Sequence, residues 1–550
     1  MPRTTGVYVF RIAVAGGLVA AAVGGAAATS AAGAVTVPCS VTSLISAIST
    51  ANTTPASSSL TLTSGCAYTL TAADNATDGG TGLPVITGQV SIQGSGATIT
   101  RSATAAFRLF DVASGGSLTL SDMTLSNGLI NDGVNGGGAI FSHGPLSVTH
   151  TTFSGNSAPA ATGISGGAIN AVAALTVSLS TFTGNTAQEG GGILSQGTTS
   201  VTDTTFTGNT ATQFGGGAIV VTTGTTTIAR DTFSGNTGPG GGAIDNDTTV
   251  NVSNSTFTGN TAGSNGGGAI QNFGTATITQ STFSGNSSAF GANLHNLTTS
   301  GSMTVSQSIV ANGAGGGGNC SGSPAIVDGG HNIDTGTSCG FSAANRSMSN
   351  TNPALGPLAS NGGPTQTMAL PSDSPAVNAI PATVAGCPGS TDQRGVSRPQ
   401  GPACDIGAYE LIAQTPPPPP PPPPAGGQIR GFGGTCLDDF HSGTVNRNKI
   451  DVYRCNGTAA QRWVLASDGE LQVFGKCLDD PAFGHRGTRL VLFTCNGGAN
   501  QRWTHTAGGQ YVLAFRHLCL DDPGFSTANG TAVRVWSCDG GANQRWTRPA

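Results

Sequence analysis

The chain has 550 residues, enough for two or three domains, with 86 Gly, 29 Pro, only 9% charged residues and a formal net charge of −5. Ordinary domains carry roughly 25% charged residues. Both lysines, Lys449 and Lys476, lie beyond residue 425, and nothing in this balance suits a nucleic-acid partner. Gly, Ser, Thr, Asn and Ala dominate residues 35–330, yet the apolar residues there recur in phase, which a disordered chain does not require.

Arg3 and Arg11 precede an apolar run, IAVAGGLVAAAVGG (12–25), and Ala-Gly-Ala follows at 32–34. This is the pattern of a secretory signal peptide over 1–34, cleaved near Ala34. The run is too short and too Gly/Ala-rich to span a bilayer comfortably. The mature chain is therefore expected to be exported, with no membrane insertion after cleavage. Twelve cysteines suit an oxidising compartment. They fall in order as close neighbours, which predicts Cys39–Cys66, Cys320–Cys339, Cys387–Cys404, Cys436–Cys455, Cys477–Cys495 and Cys519–Cys538. Sequence alone does not fix connectivity. No CxxC pair or CxxH cluster calls for zinc, and no metal or other cofactor is expected.

From residue 140 onward one phrase is repeated six times. A Gly-Gly-(Ala/Gly)-Ile element carries Ile140, Ile169, Ile193, Ile219, Ile244 and Ile270. Thirteen or fourteen residues later stand Phe153, Phe182, Phe206, Phe233, Phe257 and Phe283, each followed at the third position by Asn156, Asn185, Asn209, Asn236, Asn260 and Asn286. A period near 26 with short β-branched runs such as TTTIAR (225–230) and TATITQ (275–280) predicts a β-solenoid, with Ile and Phe stacked inward and the asparagines stacked at the turns. No segment shows a 3.6-residue period long enough for a helix. Repetition lets each coil bury an apolar face that it could not bury alone.

The Phe-x-x-Asn plus Gly-Gly-x-Ile pattern resembles the right-handed parallel β-helix of bacterial surface and adhesin-like proteins. The resemblance implies a β-helix over 35–414. Within it, VPCSVTSLISAISTAN (37–52) and LTLTSGCAYTLT (60–71) look like an N-terminal cap (35–100). The stretches 352–381 and TDQRGVSRPQGPACDIGAYE (391–410) look like the C-terminal module, about 320–412, that stands before surface anchors in that family.

Many β-helices cleave polysaccharides, so the acidic residues need a reading. Glycosidic cleavage needs paired carboxylates at a fixed separation. Asp111, Asp122, Asp132, Glu189, Asp203, Asp231, Asp245, Asp247 and Asp328 are scattered along 101–330. Asp245 and Asp247 in AIDND are the best pair. Two apart on one strand, both are expected to point outward. Gln196, Thr222, Gln271 and His143, taken as the aligned positions of other coils, add no carboxylate or base. The expectation is a solvated polar stripe and no catalytic residue. His331, in GGHNID, reads as a hydrogen-bonding turn residue.

Nine prolines at 416–424 predict a semi-rigid spacer over 415–425. Beyond it, 426–550 repeats itself three times. Cys-Leu-Asp-Asp recurs at 436–439, 477–480 and 519–522, and Gln-Arg-Trp at 461–463, 501–503 and 544–546. This set resembles the ricin B-type lectin β-trefoil. The resemblance implies a core of Trp463, Trp503 and Trp546. It also implies sugar sites built from the first Asp of each phrase, an aromatic two residues before the second Cys, and the Asn-Gln before the Trp. The third repeat carries Asp521, Trp536, Asn543 and Gln544. The second carries Asp479, Phe493, Asn500 and Gln501, with Phe as the weaker platform. The first carries Asp438, Tyr453 and Gln461, with Ala460 where Asn is expected. A pyranose needs a fixed acceptor, an amide and an aromatic face, and these residue types supply them.

The expected protein is thus all-β: a right-handed parallel β-helix, a proline linker and a β-trefoil. Its expected function is that of a secreted bacterial surface or matrix protein. Its lectin holds polysaccharide or envelope glycan in place of an anchor, and the β-helix is a non-catalytic stalk. The alternative is a secreted polysaccharide lyase or glycoside hydrolase with an appended binding module.

Overall fold

A computed structural model describes residues 34–412 and 426–549, apart from 55, 132, 134, 135, 160–164, 265 and 298–300. The leader predicted over 1–34, except Ala34, and the proline spacer at 415–425 lie outside the described residues. The chain divides into two compact units at residues 413 and 414.

The first unit is a parallel β-solenoid whose coils contribute to sheets of 20, nine and five strands. Like residues fall in register from coil to coil. Ile140, Ile169, Ile193, Ile219, Ile244 and Ile270 pair in succession, as do the six phenylalanines from Phe153 to Phe283. The phenyl rings stack nearly parallel with centroids 4.5 to 4.8 Å apart, close to the strand spacing. All six rings are fully buried, and each burial is worth about 1.5–3 kcal/mol.

The phrase asparagines occupy the turn after each Phe strand, where each Asn carbonyl accepts a backbone N–H of the next coil. Each Nδ2 donates to the Oδ1 of the next Asn at 2.8 to 3.0 Å along Asn156, Asn185, Asn209, Asn236, Asn260 and Asn286. Each Oδ1 from Asn185 onward also accepts the backbone N–H of the preceding Asn. The glycine before each Asn takes a positive φ, from +59° at Gly184 to +68° at Gly285, which an L side chain would resist. A second ladder, Asn246–Asn272–Asn296, runs inside the nine-stranded sheet at 2.6 and 2.8 Å.

One expectation is corrected at the N-terminal end. Val41–Thr53 is a 13-residue α-helix, capped by the Ser40 hydroxyl, which accepts from the Ser43 N–H. Leu44, Ile48 and Ala51 form its buried face, at helical spacing, against the first coils. The Ser/Thr-rich surroundings hide that short stripe in the sequence.

At the other end, residues 352–412 fold back along the flank of the coils. Gln393 Nε2 donates to Thr232 Oγ1 at 3.0 Å and to Asp231 O at 3.1 Å, while its Oε1 accepts from Thr256 Oγ1 at 2.6 Å. Gln280 and Gln307 donate to the carbonyls of Gly386 and Ala385. A buried Arg398–Glu410 ion pair at 2.8 Å holds this segment together.

The second unit is the trefoil. Trp463, Trp503 and Trp546 meet in its core with Leu437, Leu478 and Leu520. Each indole Nε1 donates to the carbonyl of the leucine in its own repeat, at 2.9, 3.0 and 3.0 Å. Six disulfides join Cys39–Cys66, Cys320–Cys339, Cys387–Cys404, Cys436–Cys455, Cys477–Cys495 and Cys519–Cys538. Among the described residues no helix is long and apolar enough to cross a membrane.

Candidate functional site

In each trefoil repeat the first Asp of the Cys-Leu-Asp-Asp phrase lies at or next to the end of an antiparallel pair. Across from Asp438, Asp479 and Asp521 stand Asp451, Val491 and Arg534. Two residues further along the same strands, Tyr453, Phe493 and Trp536 lie opposite the cysteines. The Gln-Arg-Trp turn supplies the third wall.

In the second repeat Asn500 Nδ2 and Gln501 Nε2 both donate to Asp479 Oδ2, at 2.9 and 2.7 Å. Their remaining amide protons go to Asp480 O and Thr494 O. The two amides therefore brace the carboxylate and aim it, and carry no spare proton for a ligand. Asp479 Oδ1 accepts from no side chain among the described residues. Burial raises the Asp479 carboxyl above its ordinary pKa, and the Gln501 hydrogen bond partly offsets this. Phe493 stands half-buried beside it.

The third repeat keeps the brace: Asn543 and Gln544 donate to Asp521 Oδ2 at 2.8 and 3.1 Å. Here Arg534 Nε donates to Oδ1 at 2.8 Å, and its guanidinium lies 4.1 Å over the Trp536 ring. The residue set that looks most complete in sequence is thus already engaged by a neighbour. The first repeat places the buried Ala460 where the others have Asn, sets Asp451 opposite Asp438, and pairs Asp451 with Lys449 at 3.0 Å. Gln461 donates to Arg454 O at 3.0 Å. Burial raises Asp438, and Gln461 and His441 partly offset it. Sequence reasoning passed over Arg534, although its place two residues before Trp536 makes it the cross-strand neighbour of Asp521.

The solenoid carboxylates are arranged differently from expectation. Asp245 is not on a solvated stripe. It is 8% exposed, under the glycine-rich turn of its own coil, where a Cβ at Gly240 would stand 2.5 Å from Oδ2. Its register neighbours are Val220 and Gln271; Thr222, Gln196 and His143 fall two positions further along their coils. Asp247 is exposed. Glu189, from two coils earlier, joins them: burial first, then the charges of Asp247 and Glu189, push the Asp245 carboxyl up to about 8. Burial also raises Glu189, with Asp247 adding to it, and partial desolvation raises Asp247, although the residue as a whole stays exposed. His331 sits at φ +54° with its N–H donating to Asn345 O at 3.1 Å. Among the described residues the one His/Cys/Asp/Glu grouping tight enough for an ion is Glu470 with Cys477 and Cys495, and those two sulfurs are bonded to each other.

The raised Asp245 value has a stability consequence. An unfolded chain ionises this carboxyl near pH 4, the fold near 8, so the folded state holds the extra proton between them. Its contribution is full below about pH 4 and is lost as pH rises through 8, at about 1.4 kcal/mol per pKa unit. The wild-type melting temperature is expected to fall from pH 5 to pH 8.5, and that of Asp245→Asn to fall much less. Parallel curves would refute the burial argument.

The trefoil geometry is matched by family. Residues 425–546 fit the description "Ricin-type beta-trefoil lectin domain". This second unit is a ricin-type lectin domain. Residues 81–233 fit "Right handed beta helix region". Serine protease 1 of Rarobacter faecitabidus is 37% identical over 51 residues, 9% of this chain and 10% of that protein. The chain thus spans about a tenth of the length of the curated relative it matches. Among solved structures, the agglutinin of Abrus precatorius is 24% identical with a TM-score of 0.21, over 22% of this chain and 46% of that one. The designed threefold-symmetric protein ThreeFoil is 27% identical with a TM-score of 0.21, over 22% of this chain and 96% of its own. The ricin-type lectin domain is a carbohydrate-binding scaffold, and the β-helix region precedes it in the chain.

Proposed function

We propose that the chain is an exported bacterial surface or matrix protein whose lectin domain holds polysaccharide or envelope glycan, with the β-helix as a non-catalytic stalk. The observation that carries this reading is the second lectin repeat. Asp479 offers an oriented, unclaimed Oδ1 beside the half-exposed face of Phe493, the acceptor and platform that a pyranose requires. Single sites of this kind are weak, and several on one domain act together on a repeating polymer. The test is retention of the full chain on plant, fungal and bacterial polysaccharides beside a chain ending at 412. Retention confined to the full chain is expected; equal retention of both would sink the reading.

The gathering of Glu189, Asp245 and Asp247 supports a second reading, a polysaccharide-degrading solenoid that the lectin targets. It requires new reducing or unsaturated ends from a bound polysaccharide, and their loss in Asp245→Asn.

A further inference from the structure

The three lectin repeats share one skeleton and differ at the position facing the ligand aspartate. Asp451, Val491 and Arg534 make that position acidic, apolar and basic in turn. In the third repeat the consequence is large. Arg534 binds the Asp521 oxygen equivalent to the one left open on Asp479, and its guanidinium covers Trp536 at 4.1 Å. A neutral pyranose would have to displace a charge-assisted hydrogen bond, which is roughly twice as strong as a neutral one, and uncover the ring.

A second arginine borders the same ring. Arg486 lies 5.8 Å from the Trp536 centroid, on the loop leading into the Val491 strand. That loop is fixed against the Trp536 strand: Gly487 N–H donates to Val535 O at 2.8 Å, and Arg489 bridges to Arg534. Arg486 and Arg489 are exposed and make no ion pair among the described residues. Arg534 uses Nε on Asp521, which leaves the outer edge of its fork, with 29% of the side chain exposed, toward solvent. Asp521 and the adjacent Asp522 offset two of the three charges, which leaves the arginine side of this platform with one positive charge in excess.

We propose that the third repeat binds an anionic saccharide, a pyranose bearing a carboxylate or sulfate, with Arg534 and Arg486 as its anion ligands, while the second repeat takes neutral sugar. The planar guanidinium fork matches either anion in two-point geometry. This rests on the lectin reading above, and deepens it to a ligand class for each repeat.

The test uses the full chain in a Phe493→Ala background, which removes the neutral platform. The probes are trigalacturonate, a chondroitin sulfate hexasaccharide and galactotriose, titrated at low and high salt. Arg534→Val, which copies the second repeat, is expected to weaken the anionic probe about tenfold or more and to strengthen galactotriose. Arg486→Ala, on an exposed loop, is expected to weaken the anionic probe about threefold. The uronate and sulfate arms show which anion is read. Arg430→Ala, at an exposed position of the first repeat outside its sugar-facing walls, should leave the anionic probe unchanged; an equal loss there means diffuse charge attraction and overturns the proposal. So does anionic binding that survives Arg534→Val, or galactotriose binding without anionic binding. Failure of the chain with Phe493 intact to bind any probe or polysaccharide overturns the lectin reading itself.

Discussion

Asn209→Ala is expected to destabilise the solenoid by about 4 kcal/mol, although it deletes only a small side chain. Asn209 Oδ1 accepts both the N–H and the Nδ2 of Asn185, at 3.1 and 2.9 Å. Its Nδ2 donates to Asn236 Oδ1 and to Phe182 O, each at 2.9 Å. Alanine leaves the Asn185 N–H and one of its amide protons without a partner, at a position where Asn185 and Asn209 are both fully buried. Each orphaned donor costs about 1–3 kcal/mol. The loss of the bond to Phe182 O adds to this, and no neighbouring coil can supply a replacement because the coils are locked in register by stacked rings. Thr207→Ala, on an exposed position two residues away, should cost under about 0.5 kcal/mol. Guanidinium midpoints of the two variants decide the matter, and faster hydrogen exchange at the Asn185 amide would localise the damage. Equal midpoints would mean that water satisfies the turn and that the ladder is ornamental.

The ladder was legible in the sequence because repetition supplies the comparison that a single coil cannot. Phe206 and Asn209 recur at fixed spacing, so their like neighbours above and below follow at once. Asp245 was not legible. On an isolated strand, alternation sends it outward into water; the turn carrying Gly240 lies over it, and Glu189 reaches the same place from two coils away. The helix Val41–Thr53 was hidden because only Leu44, Ile48 and Ala51 mark its buried face. Gln393 is a further case, since its bond to Thr256 spans 137 residues and no local pattern announces it. In the trefoil, the residue types at each site could be read from the repeat, but their engagement could not. The pairing that puts Arg534 across from Asp521 follows from hairpin register, and register requires knowing where the turn falls.

Asp479→Asn is expected to reduce binding of neutral sugar by the second lectin repeat about a hundredfold, with a smaller effect on folding. The carboxylate has acceptor capacity on both oxygens, and two buried amides converge on one of them. An asparagine must present its NH2 either to those two donors or to the ligand. In the first case the brace loses its acceptor; in the second the sugar hydroxyls meet a donor where an anionic acceptor stood. Either way a charge-assisted bond is lost, and such bonds are about twice as strong as neutral ones. The same argument fixes a pH response. Burial holds the Asp479 carboxyl above its ordinary range, so it takes up a proton at milder acidity than a free carboxylate. Wild-type affinity for a neutral oligosaccharide should therefore decline as pH falls toward that raised value, while the residual affinity of Asp479→Asn stays flat. Titration of both proteins between pH 7 and pH 4 measures this. A wild-type affinity that held constant over the range would show that the ligand does not rest on Asp479, and would move the binding surface away from this carboxylate altogether.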